Sequence, residues 1–446
     1  MIRTLSIEIP SKVGQEIILK GLVNARRNMG KIVFLDVRDY KGVAQVVGVS
    51  SELDEQSNEL LKNIRTEWAV EIRGIVNERG VKQQNLEMPT GKVEVLAKEI
   101  KVLSEAEPLL FDLEDEKIGL CTHLDHLPIT LRTEKWKTLF KIQAEIVEAF
   151  RMFLRSKDFT EFQCPKIVGD STEGGANVFK MEYFGHQAYL AQSPQFYKQI
   201  LVGVFERVFT VGNVYRAEEH ATTRHINEYT SLDLEFGFIK DHLDIINLEI
   251  ECLKYLLVYL EKTVGAELKL WNFVKPELPD NVPVYKLREV QEIIKREIGI
   301  DHTTEPDLEP NEEKFICDYV KSKFQSDFVF VTHYPTVKRP LYTYPDEANP
   351  EFTKSFDLLF RGVEITTGGQ RINNYTQLVN NIKKWGLNPE KFKFYLEAFQ
   401  YGMPPEGGLA IGLERLTAKL LGVDNIKKAT LFPRDLNRID LQLTPP

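Results

Sequence analysis

The sequence predicts an α+β fold in which a small N-terminal β-barrel precedes a larger unit of strands and helices. Three observations support this prediction. Five strand-like stretches fill the first 105 residues, an acidic and proline-broken stretch follows, and the remainder combines amphipathic helical patterns with hairpins. At 446 residues the chain is long enough for two or three domains. We therefore expect a barrel domain at 1–105, a hinge at 106–132 and a larger domain at 133–446.

Five β-strands are predicted in the first domain, with an amphipathic helix at about residues 53–64 between the third and the fourth. The predicted strands are 16–27, 32–39, 43–49, 67–78 and 92–104. This order is typical of five-stranded barrels of the OB type, and Gly30 and the Tyr40–Gly42 turn are suited to the first two hairpins. The sequence therefore predicts an N-terminal five-stranded OB-type β-barrel.

The predicted barrel carries side chains that suit nucleic acid. OB barrels commonly bind single strands with aromatic and polar residues on a strand face. Phe34 and Gln45 lie on the second and third predicted strands, beside a basic cluster. The cluster consists of Arg26, Arg27, Lys31, Arg38 and Lys41. A nucleic-acid surface is one interpretation, and a Phe34 that simply packs in the barrel core is the other.

Composition narrows the class of protein. The net charge of −9 disfavours a polyanionic partner, although a local basic cluster on an acidic body can still bind one. No stretch approaches the roughly 18 apolar residues of a membrane span, and the N-terminus has no apolar leader. We therefore expect a cytoplasmic protein with no membrane partner. The four cysteines include no C-x-x-C pair, which argues against a zinc site or a disulfide framework.

The larger domain is predicted to begin with a helix at 133–156 and a strand that ends at Cys164–Pro165. Pro165 cannot donate to a strand ladder, so this strand is expected at a sheet edge, where a second subunit could make contact. A long helix is predicted at His242–Lys262. A polar connection rich in proline and acidic residues is expected at about 270–312.

The segment 212–239 is predicted to form a strand, a polar loop and a second strand. Alternate residues of the second strand share one polar face, because side chains alternate along a strand. They are Tyr229, Ser231, Asp233 and Glu235. Carboxylates that crowd on one face repel unless cations lie nearby, and the loop is expected to supply part of that charge. The loop cations are Arg216, Arg224 and His225. A solvated hairpin with charged loop residues is the plain alternative.

A second hairpin is predicted at residues 355–371. Asp357 and Glu364 are seven positions apart, a spacing that one regular strand would send to opposite faces. A turn at Arg361–Gly362 can nevertheless bring the two carboxylates together, with the Thr367 hydroxyl nearby. A few hard oxygen groups of this kind suit Mg²⁺ that is bound together with the phosphates of a nucleotide.

Near the C-terminus, Gly407–Leu421 is predicted to form a strand that continues into a helix, with Gly412 at the junction and Arg415 in the first turn. Free amides and an arginine at a helix start can bind an anion. Together with Arg216 this provides two arginines for phosphates, and Tyr229 provides an aromatic platform. The sequence has no G-x-x-x-x-G-K-[ST] loop and no evident nucleophile and base, so the predicted chemistry is displacement at phosphorus by positioning and charge neutralisation.

These segments, in this order, resemble the three motifs of the class II aminoacyl-tRNA synthetases, and the whole chain resembles the compact archaeal type of aspartyl-tRNA synthetase in subclass IIb. The helix and strand that end in Cys164–Pro165 are similar to the first motif, Arg216 through Tyr229 to the second, and Gly412 through Arg415 to the third. The resemblance implies a class II antiparallel catalytic sheet of six strands flanked by helices. It also implies a homodimer formed partly across the first motif, and an OB barrel that binds the anticodon.

The resemblance further implies an activity. Members of this family join L-aspartate to the 3′ end of tRNA(Asp) through an aspartyl-adenylate, with ATP as substrate and Mg²⁺ as cofactor. The sequence leaves open whether tRNA(Asn) is also an acceptor, because one anticodon base separates the two tRNAs.

Matching positions imply roles for single residues. The positions that match the ATP site are Arg216, Glu218, His225, Tyr229, Glu364, Gly412 and Arg415. Those that match the family's catalytic residues are Arg216, Glu218 and Arg415. Those that match the aspartate pocket are Glu173, Gln195, Lys198, Asp233 and Arg371, with Lys198 and Arg371 on the side-chain carboxylate. The implied metal ligands are Asp357, Glu364 and Thr367. The implied anticodon contacts are Phe34, Gln45, Arg26 and Arg38.

Three other functions remain as alternatives. Asparaginyl-tRNA synthetases share the architecture, but a carboxylate needs cations whereas an amide needs donors and acceptors, so Lys198 and Arg371 favour aspartate. A catalytically silent tRNA-binding paralogue would be expected to lack Arg216 or Arg415. A synthetase-derived ligase that amidates aspartate would be expected to lack the barrel.

Overall fold

The computed structural model of the chain describes residues 2–86, 88–113, 117–169, 177–219 and 222–443. The chain divides into two compact units, Met1–Asp112 and Leu113–Pro446. Part of the stretch 106–132, which the sequence presents as a hinge, is helical, and its two short helices belong to the second unit.

The first unit contains the five long strands and the helix that the sequence predicts, each end lying within about two residues of the predicted one. Its elements are β1 (Arg3–Thr4), β2 (Glu16–Asn28), β3 (Ile32–Arg38), β4 (Val43–Val49), α1 (Glu55–Asn63), β5 (Ala69–Glu78) and β6 (Val93–Ser104). Short 3-10 segments cover Ser6–Lys12 and Val81–Gln83.

The strands of this unit pair in the OB order. Antiparallel ladders join β2 to β3, β3 to β4, β2 to β5 and β5 to β6, while β4 and β6 pair in parallel over two residue pairs. The alternation of β3 separates two faces: Leu35 and Val37 are fully buried, whereas Phe34 and Asp36 are half-buried on the other side. Phe34 therefore does not belong to the barrel core, and the core interpretation of this residue is wrong.

The second unit contains the remaining strands and helices. Its strands are β7 (Thr160–Glu161), β8 (Ile167–Val168), β9 (Lys180–Tyr183), β10 (His186–Leu190), β11 (Arg207–Tyr215), β12 (Glu228–Gly237), β13 (Val284–Lys286), β14 (Phe328–Thr332), β15 (Ser355–Phe360), β16 (Val363–Gln370) and β17 (Glu406–Gly412). Its helices are α2 (Leu120–Asp125), α3 (Leu127–Thr130), α4 (Glu134–Ser156), α5 (Gln195–Phe205), α6 (His242–Thr263), α7 (Gly265–Leu270), α8 (Leu287–Ile298), α9 (Pro310–Phe324), α10 (Tyr375–Lys384), α11 (Lys393–Gln400) and α12 (Leu413–Leu421). Short 3-10 segments cover Thr336–Lys338, Pro389–Phe392 and Ile426–Ala429.

An eight-stranded sheet organises this unit, in the order β13-β14-β15-β16-β17-β12-β11-β7. The six inner strands are antiparallel, as the family resemblance implies, and one short parallel strand is added at each edge. β7 covers only two residues and ends before Pro165. The strand predicted there is therefore shorter than expected, although it lies at the predicted edge.

The two faces of the sheet differ in character. Apolar residues such as Phe209 and Leu234 face α4 and α6 in the main core, where Phe150 meets Phe209 edge to face at a centroid distance of 5.9 Å. Alternate residues on the same strands, such as Asp233, face the other way. One face of the sheet therefore stabilises the unit by apolar burial, and the other is free to hold polar groups.

The prediction of a polar connection at 270–312 is wrong. β13 and the twelve-residue helix α8 lie within it, and α9 begins at Pro310. Leu287, Val290 and Ile294 of α8 are fully buried. Their spacing of three and four residues, with charged residues between them, is the pattern of an amphipathic helix, which the prediction of a polar connection overlooked.

Candidate active site

Polar residues of β12 form the floor of a buried site, as the sequence predicts. Ser231, Asp233 and Glu235 are at most 4% exposed, so both carboxylates lie in the interior. Buried carboxylates need cations close by. Of the predicted loop cations, Arg224 does not meet that need, because it pairs with Glu313 of α9 instead.

Two cations from other elements neutralise the floor. Lys198 Nζ, from α5, lies 3.0 Å from Asp233 Oδ1 and 3.1 Å from Glu235 Oε2. Arg371 Nε lies 2.7 Å from Glu235 Oε1, and its Nη2 donates to the Gly408 carbonyl at 3.0 Å. Glu235 thus bridges both cations. Lys198 and Arg371 are thus each already ion-paired inside the protein.

The turn predicted at Arg361–Gly362 joins β15 to β16. Both residues have positive φ, 47° and 80°, a combination that suits a tight hairpin turn. The turn places Glu364 opposite Leu359, which shares a face with Asp357, and the register shift between Leu358 and Leu359 brings Thr367 opposite Asp357. Thr367 Oγ1 lies 2.9 Å from Asp357 Oδ1 and 2.7 Å from Glu364 Oε1. The predicted convergence of these three side chains is confirmed.

Arg339 is a component of the site that sequence reasoning missed. Its Nη2 lies 2.6 Å from Asp357 Oδ2, and its guanidinium carbon lies 3.8 Å from the centroid of the Tyr334 ring. The side chain is about 10% exposed. The only sequence signal is a basic pair, Lys338 and Arg339, before a proline in a loop without periodicity.

The two hairpin carboxylates differ in acidity. Burial is the main cause that raises the pKa of Asp357 to about 6; the Arg339 guanidinium opposes the rise and the Glu364 carboxylate adds to it. Burial also acts to raise the pKa of Glu364. The Arg415 guanidinium and the Thr367 hydrogen bond outweigh it, so the pKa of Glu364 is lowered. The pKa values of the two carboxyl groups are therefore shifted in opposite directions.

A cavity of about 480 Å³ extends from this hairpin to the loop before β12. Arg415 Nη1 donates to the Glu364 carbonyl at 3.0 Å, and Gly412 is the N-cap of α12. The Arg216 guanidinium carbon lies 6.0 Å from the centroid of the Tyr229 ring. The candidate nucleotide residues brought together in the cavity wall are Arg216, Glu218, His225, Tyr229, Glu364, Gly412 and Arg415.

A smaller cavity of about 70 Å³ adjoins it, at the floor of β12. Of the candidate amino-acid residues, Gln195, Lys198, Asp233 and Arg371 line this cavity, and Arg339 contributes to the walls of both cavities. Glu173 lies outside the described residues. A small polar pocket thus opens beside a larger one lined by arginines, which is an arrangement that can hold two reacting molecules side by side.

The candidate anticodon residues lie on β2, β3 and β4 of the first unit. Arg27 is directly opposite Phe34, and Asp36 is opposite Gln45, so these side chains share one face. Gln45 donates to Glu94 Oε2 at 3.0 Å. The two predicted basic contacts bind protein groups: Arg38 forms an ion pair with Glu67, and Arg26 donates to the Lys62 carbonyl at 3.1 Å. Phe34 is half-buried, and Arg26, which is opposite Leu35, does not lie on its face.

Two family models match the chain. The model of tRNA synthetases class II (D, K and N) matches residues 121–436, and the model of the OB-fold nucleic acid binding domain matches residues 17–103. The first match covers more than half of the chain and includes every strand of the eight-stranded sheet. The chain belongs to the class II aminoacyl-tRNA synthetases of the D, K and N group.

Three relatives show how similar this synthetase is to named ligases. It is 44% identical over 445 residues to an aspartate--tRNA(Asp/Asn) ligase of Deinococcus radiodurans, with 98% of each chain covered. It is 45% identical over 442 residues to the ligase of the same name from Thermus thermophilus, covering 98% and 99%. It is 35% identical over 446 residues to an aspartate--tRNA(Asp) ligase of Pyrococcus abyssi, covering 98% and 100%.

Solved structures show the same fold. The synthetase matches the asparaginyl-tRNA synthetase of Pyrococcus horikoshii complexed with asparaginyl-adenylate, with a TM-score of 0.91, 28% identity and coverage of 98% and 99%. It matches a putative aspartyl-tRNA synthetase of Leishmania major with a TM-score of 0.88, 28% identity and coverage of 98% and 94%. The fold is therefore common to enzymes named for aspartate and for asparagine, and side chains must distinguish them.

The synthetase has few groups that could hold a metal. In the ranges that the structure describes, no cluster of three or more histidine, cysteine, aspartate or glutamate side chains suits a metal ion. The hairpin offers two carboxylates and the Thr367 hydroxyl.

Across the same ranges, the helices of the synthetase fall short of the length and apolar character that a membrane span requires.

Proposed function

We propose that this synthetase joins L-aspartate to the 3′ end of tRNA(Asp), with an aspartyl-adenylate as intermediate. The observation that carries the choice of amino acid is the small cavity beside Lys198, Arg339 and Arg371. Ammonium and guanidinium groups only donate hydrogen bonds, so they match a carboxylate, which accepts at both oxygens. The amide nitrogen of asparagine would face donors, and leaving it unsatisfied costs about 1–3 kcal/mol. The names of the relatives at 35–45% identity support aspartate as well.

The first step is attack by the aspartate α-carboxylate on the α-phosphorus of ATP, with pyrophosphate as the leaving group. Arg216 neutralises the negative charge that develops on the α-phosphoryl oxygens. Tyr229 stacks on adenine, Arg415 closes its other face, and Glu218 and His225 contact the nucleotide. The shared wall between the two cavities supports this arrangement, because it brings both substrates together.

Asp357 and Glu364, with the Thr367 hydroxyl, would hold Mg²⁺. Their convergence supports this, since two carboxylates and a hydroxyl are the hard oxygen groups that Mg²⁺ prefers. The bound ion would neutralise charge on the phosphates of ATP.

In the second step, the terminal ribose 3′-hydroxyl of tRNA attacks the aspartyl carbonyl carbon, and AMP leaves. Binding of the anticodon is assigned to the barrel domain at 1–105, through Phe34 and Gln45 with Arg26 and Arg38 nearby. The hinge at 106–132 would connect it to the catalytic domain at 133–446. A cytoplasmic homodimer formed partly across α4 and β7 completes the proposal, and the edge position of β7 supports it.

Aminoacylation tests the proposal directly. The purified chain is incubated with ATP, Mg²⁺ and either labelled aspartate or labelled asparagine, each with tRNA(Asp) or tRNA(Asn). We expect aspartate on tRNA(Asp), and the amount of aspartate on tRNA(Asn) measures whether that tRNA is a second acceptor. Charging with asparagine would instead support the asparaginyl alternative, and charging with neither amino acid would support the silent paralogue.

A further inference from the structure

We infer that Gln199 orients the side-chain amide of Gln195, so that Gln195 presents its carbonyl oxygen to the α-ammonium group of the amino-acid substrate. The inference rests on the aspartate site proposed above and adds a positioning residue to it. Gln199 lies on α5, one helical turn after Gln195, and both side chains are almost completely buried.

Three buried hydrogen bonds hold the Gln199 amide from both ends. Its Nε2 donates to Glu406 Oε1 at 2.7 Å. Its Oε1 accepts from the Tyr395 hydroxyl at 3.0 Å and from Gln195 Nε2 at 3.0 Å. These contacts join α5 to the start of β17 and to α11, so the orientation of Gln199 is fixed by three separate elements.

The chemistry of the neighbours favours one orientation of Gln199. Glu406 Oε1 accepts a hydrogen bond whether the carboxyl group is ionised or carries its proton on Oε2, so it requires the amide nitrogen on its side. The buried Tyr395 hydroxyl needs an acceptor for its hydrogen and finds it in Gln199 Oε1. A reversed Gln199 amide would place two oxygens against each other at Glu406 and lose the acceptor for Tyr395.

The fixed carbonyl of Gln199 in turn determines the orientation of the Gln195 side-chain amide. Gln195 Nε2 is directed at Gln199, which leaves Gln195 Oε1 as the atom available to a ligand. In the part of the chain that the structure describes, Oε1 accepts no hydrogen bond, and Gln195 lines the small cavity together with Asp233. An ammonium group carries three donors and no acceptor, so a carbonyl oxygen attracts it whereas an amide nitrogen would repel it.

The test separates recognition of the α-amino group from recognition of the carboxylates. Gln199→Met keeps the length and the apolar stem of the side chain but removes all three hydrogen bonds. ATP–pyrophosphate exchange gives the KM for L-aspartate, and inhibition of the exchange gives the Ki of succinate, which has both carboxylates but no α-amino group. We expect the KM for aspartate to rise about tenfold or more, as for loss of a hydrogen bond to a charged group, and the Ki of succinate to change less than about threefold.

Matched variants identify the cause. Gln291→Met makes the same change at another fully buried glutamine, on α8, and should leave both constants unchanged. Tyr395→Phe removes one donor but keeps the ring that stacks on Phe196, so its effect should be smaller and in the same direction. Gln195→Ala should raise the KM for aspartate, and adding Gln199→Met to it should raise the KM no further, because the two residues act through one contact.

Two results would overturn the inference. Equal increases in the aspartate and succinate constants for Gln199→Met would mean that the whole pocket has changed shape. An unchanged aspartate constant would mean that Gln195 is oriented without Gln199. Neither result bears on the proposed function, which fails only if the wild-type chain shows no exchange that depends on aspartate.

Discussion

Arg339 Nη2 lies 2.6 Å from Asp357 Oδ2, so one of the two carboxylates that meet at Thr367 is ion-paired inside the protein. The other, Glu364, pairs more loosely, with Arg415 Nη1 at 3.5 Å; its pKa is lowered and its side chain is about a third exposed. Glu364 is therefore the carboxylate that is more available to a cation brought in with ATP.

Glu364→Gln is expected to abolish most adenylate formation while leaving tRNA binding intact. The substitution keeps the size and hydrogen bonds of the side chain but removes the charge that would hold Mg²⁺. Removing one group that stabilises developing charge typically costs about 10²–10³ in rate. Pyrophosphate exchange measures the first step, and single-turnover transfer from preformed aspartyl-adenylate measures the second, which should suffer less. Partial rescue by raised Mg²⁺ is expected, and an exchange rate near that of the wild type would remove Glu364 from the metal site.

Lys198→Met is expected to weaken the response to aspartate and also to lower the melting temperature. Loss of a cation from a desolvated charge pair costs about 2–5 kcal/mol. Among the residues that the structure describes, the substitution also removes the ion-pair partner of Asp233 and leaves Glu235 paired with Arg371. Exchange assays over a range of aspartate concentrations, with thermal melts and ATP binding as controls, separate the two effects. An unchanged KM for aspartate in a folded variant would contradict the proposed role of Lys198.

Phe34→Ala is expected to reduce tRNA charging and to leave adenylate formation unchanged. Loss of one stacked base costs about 1–3 kcal/mol, and tRNA takes no part in the first step. Leu35→Ala, next in sequence but on the buried face, is the matched control: it should lower the free energy of unfolding by about 2–5 kcal/mol. If Phe34→Ala lowers both reactions equally, Phe34 acts through stability and not through the anticodon.

Acid is expected to destabilise the second unit through His242. Burial is the main cause that lowers the pKa of His242 to about 4, and His333, whose ring centroid lies 5.4 Å away, adds to the effect. Between pH 6.5 and 4 the unfolded chain therefore binds a proton that the folded chain does not bind. The free energy of unfolding thus falls as the pH falls through that window. The cost from pH 7 to pH 5 is about 1–2 kcal/mol. Denaturant unfolding of the wild type and His242→Gln at both pH values measures it. Equal losses in the two proteins would exclude His242 as the source.

Local patterns predicted much of the fold. Most strands of the barrel alternate between buried and more exposed residues, and their bounds were predictable to within about two residues. The convergence of Asp357 and Glu364 was predictable because the turn between them determines which residues of the two strands share a face. Helix α8 was missed although its apolar residues recur at helical spacing, because the prediction weighed only the proline and acidic content of the segment.

The partners of charged residues were harder to predict. Lys198 and Arg371 meet Glu235 across separations of 37 and 136 residues, and Arg339 meets Asp357 across a loop of no regular structure. The spacing of residues along the sequence does not indicate such contacts, because they result from the register of three strands and the position of α5. Sequence motifs therefore located the site but did not reveal how its charges are balanced.

The carbonyl of Gly408 accepts a hydrogen bond from Arg371. Gly408 is also closely surrounded by other atoms, so a side chain does not fit there. A Cβ atom at residue 408 would overlap the carboxylate of Glu235 and the carbonyl oxygen of Leu234. Even alanine would have to push Glu235 away from both cations or separate β12 from β17. The ion pairs at the base of the site therefore require that residue 408 has no Cβ atom. We expect substitutions of Gly408 to be among the least tolerated in the protein.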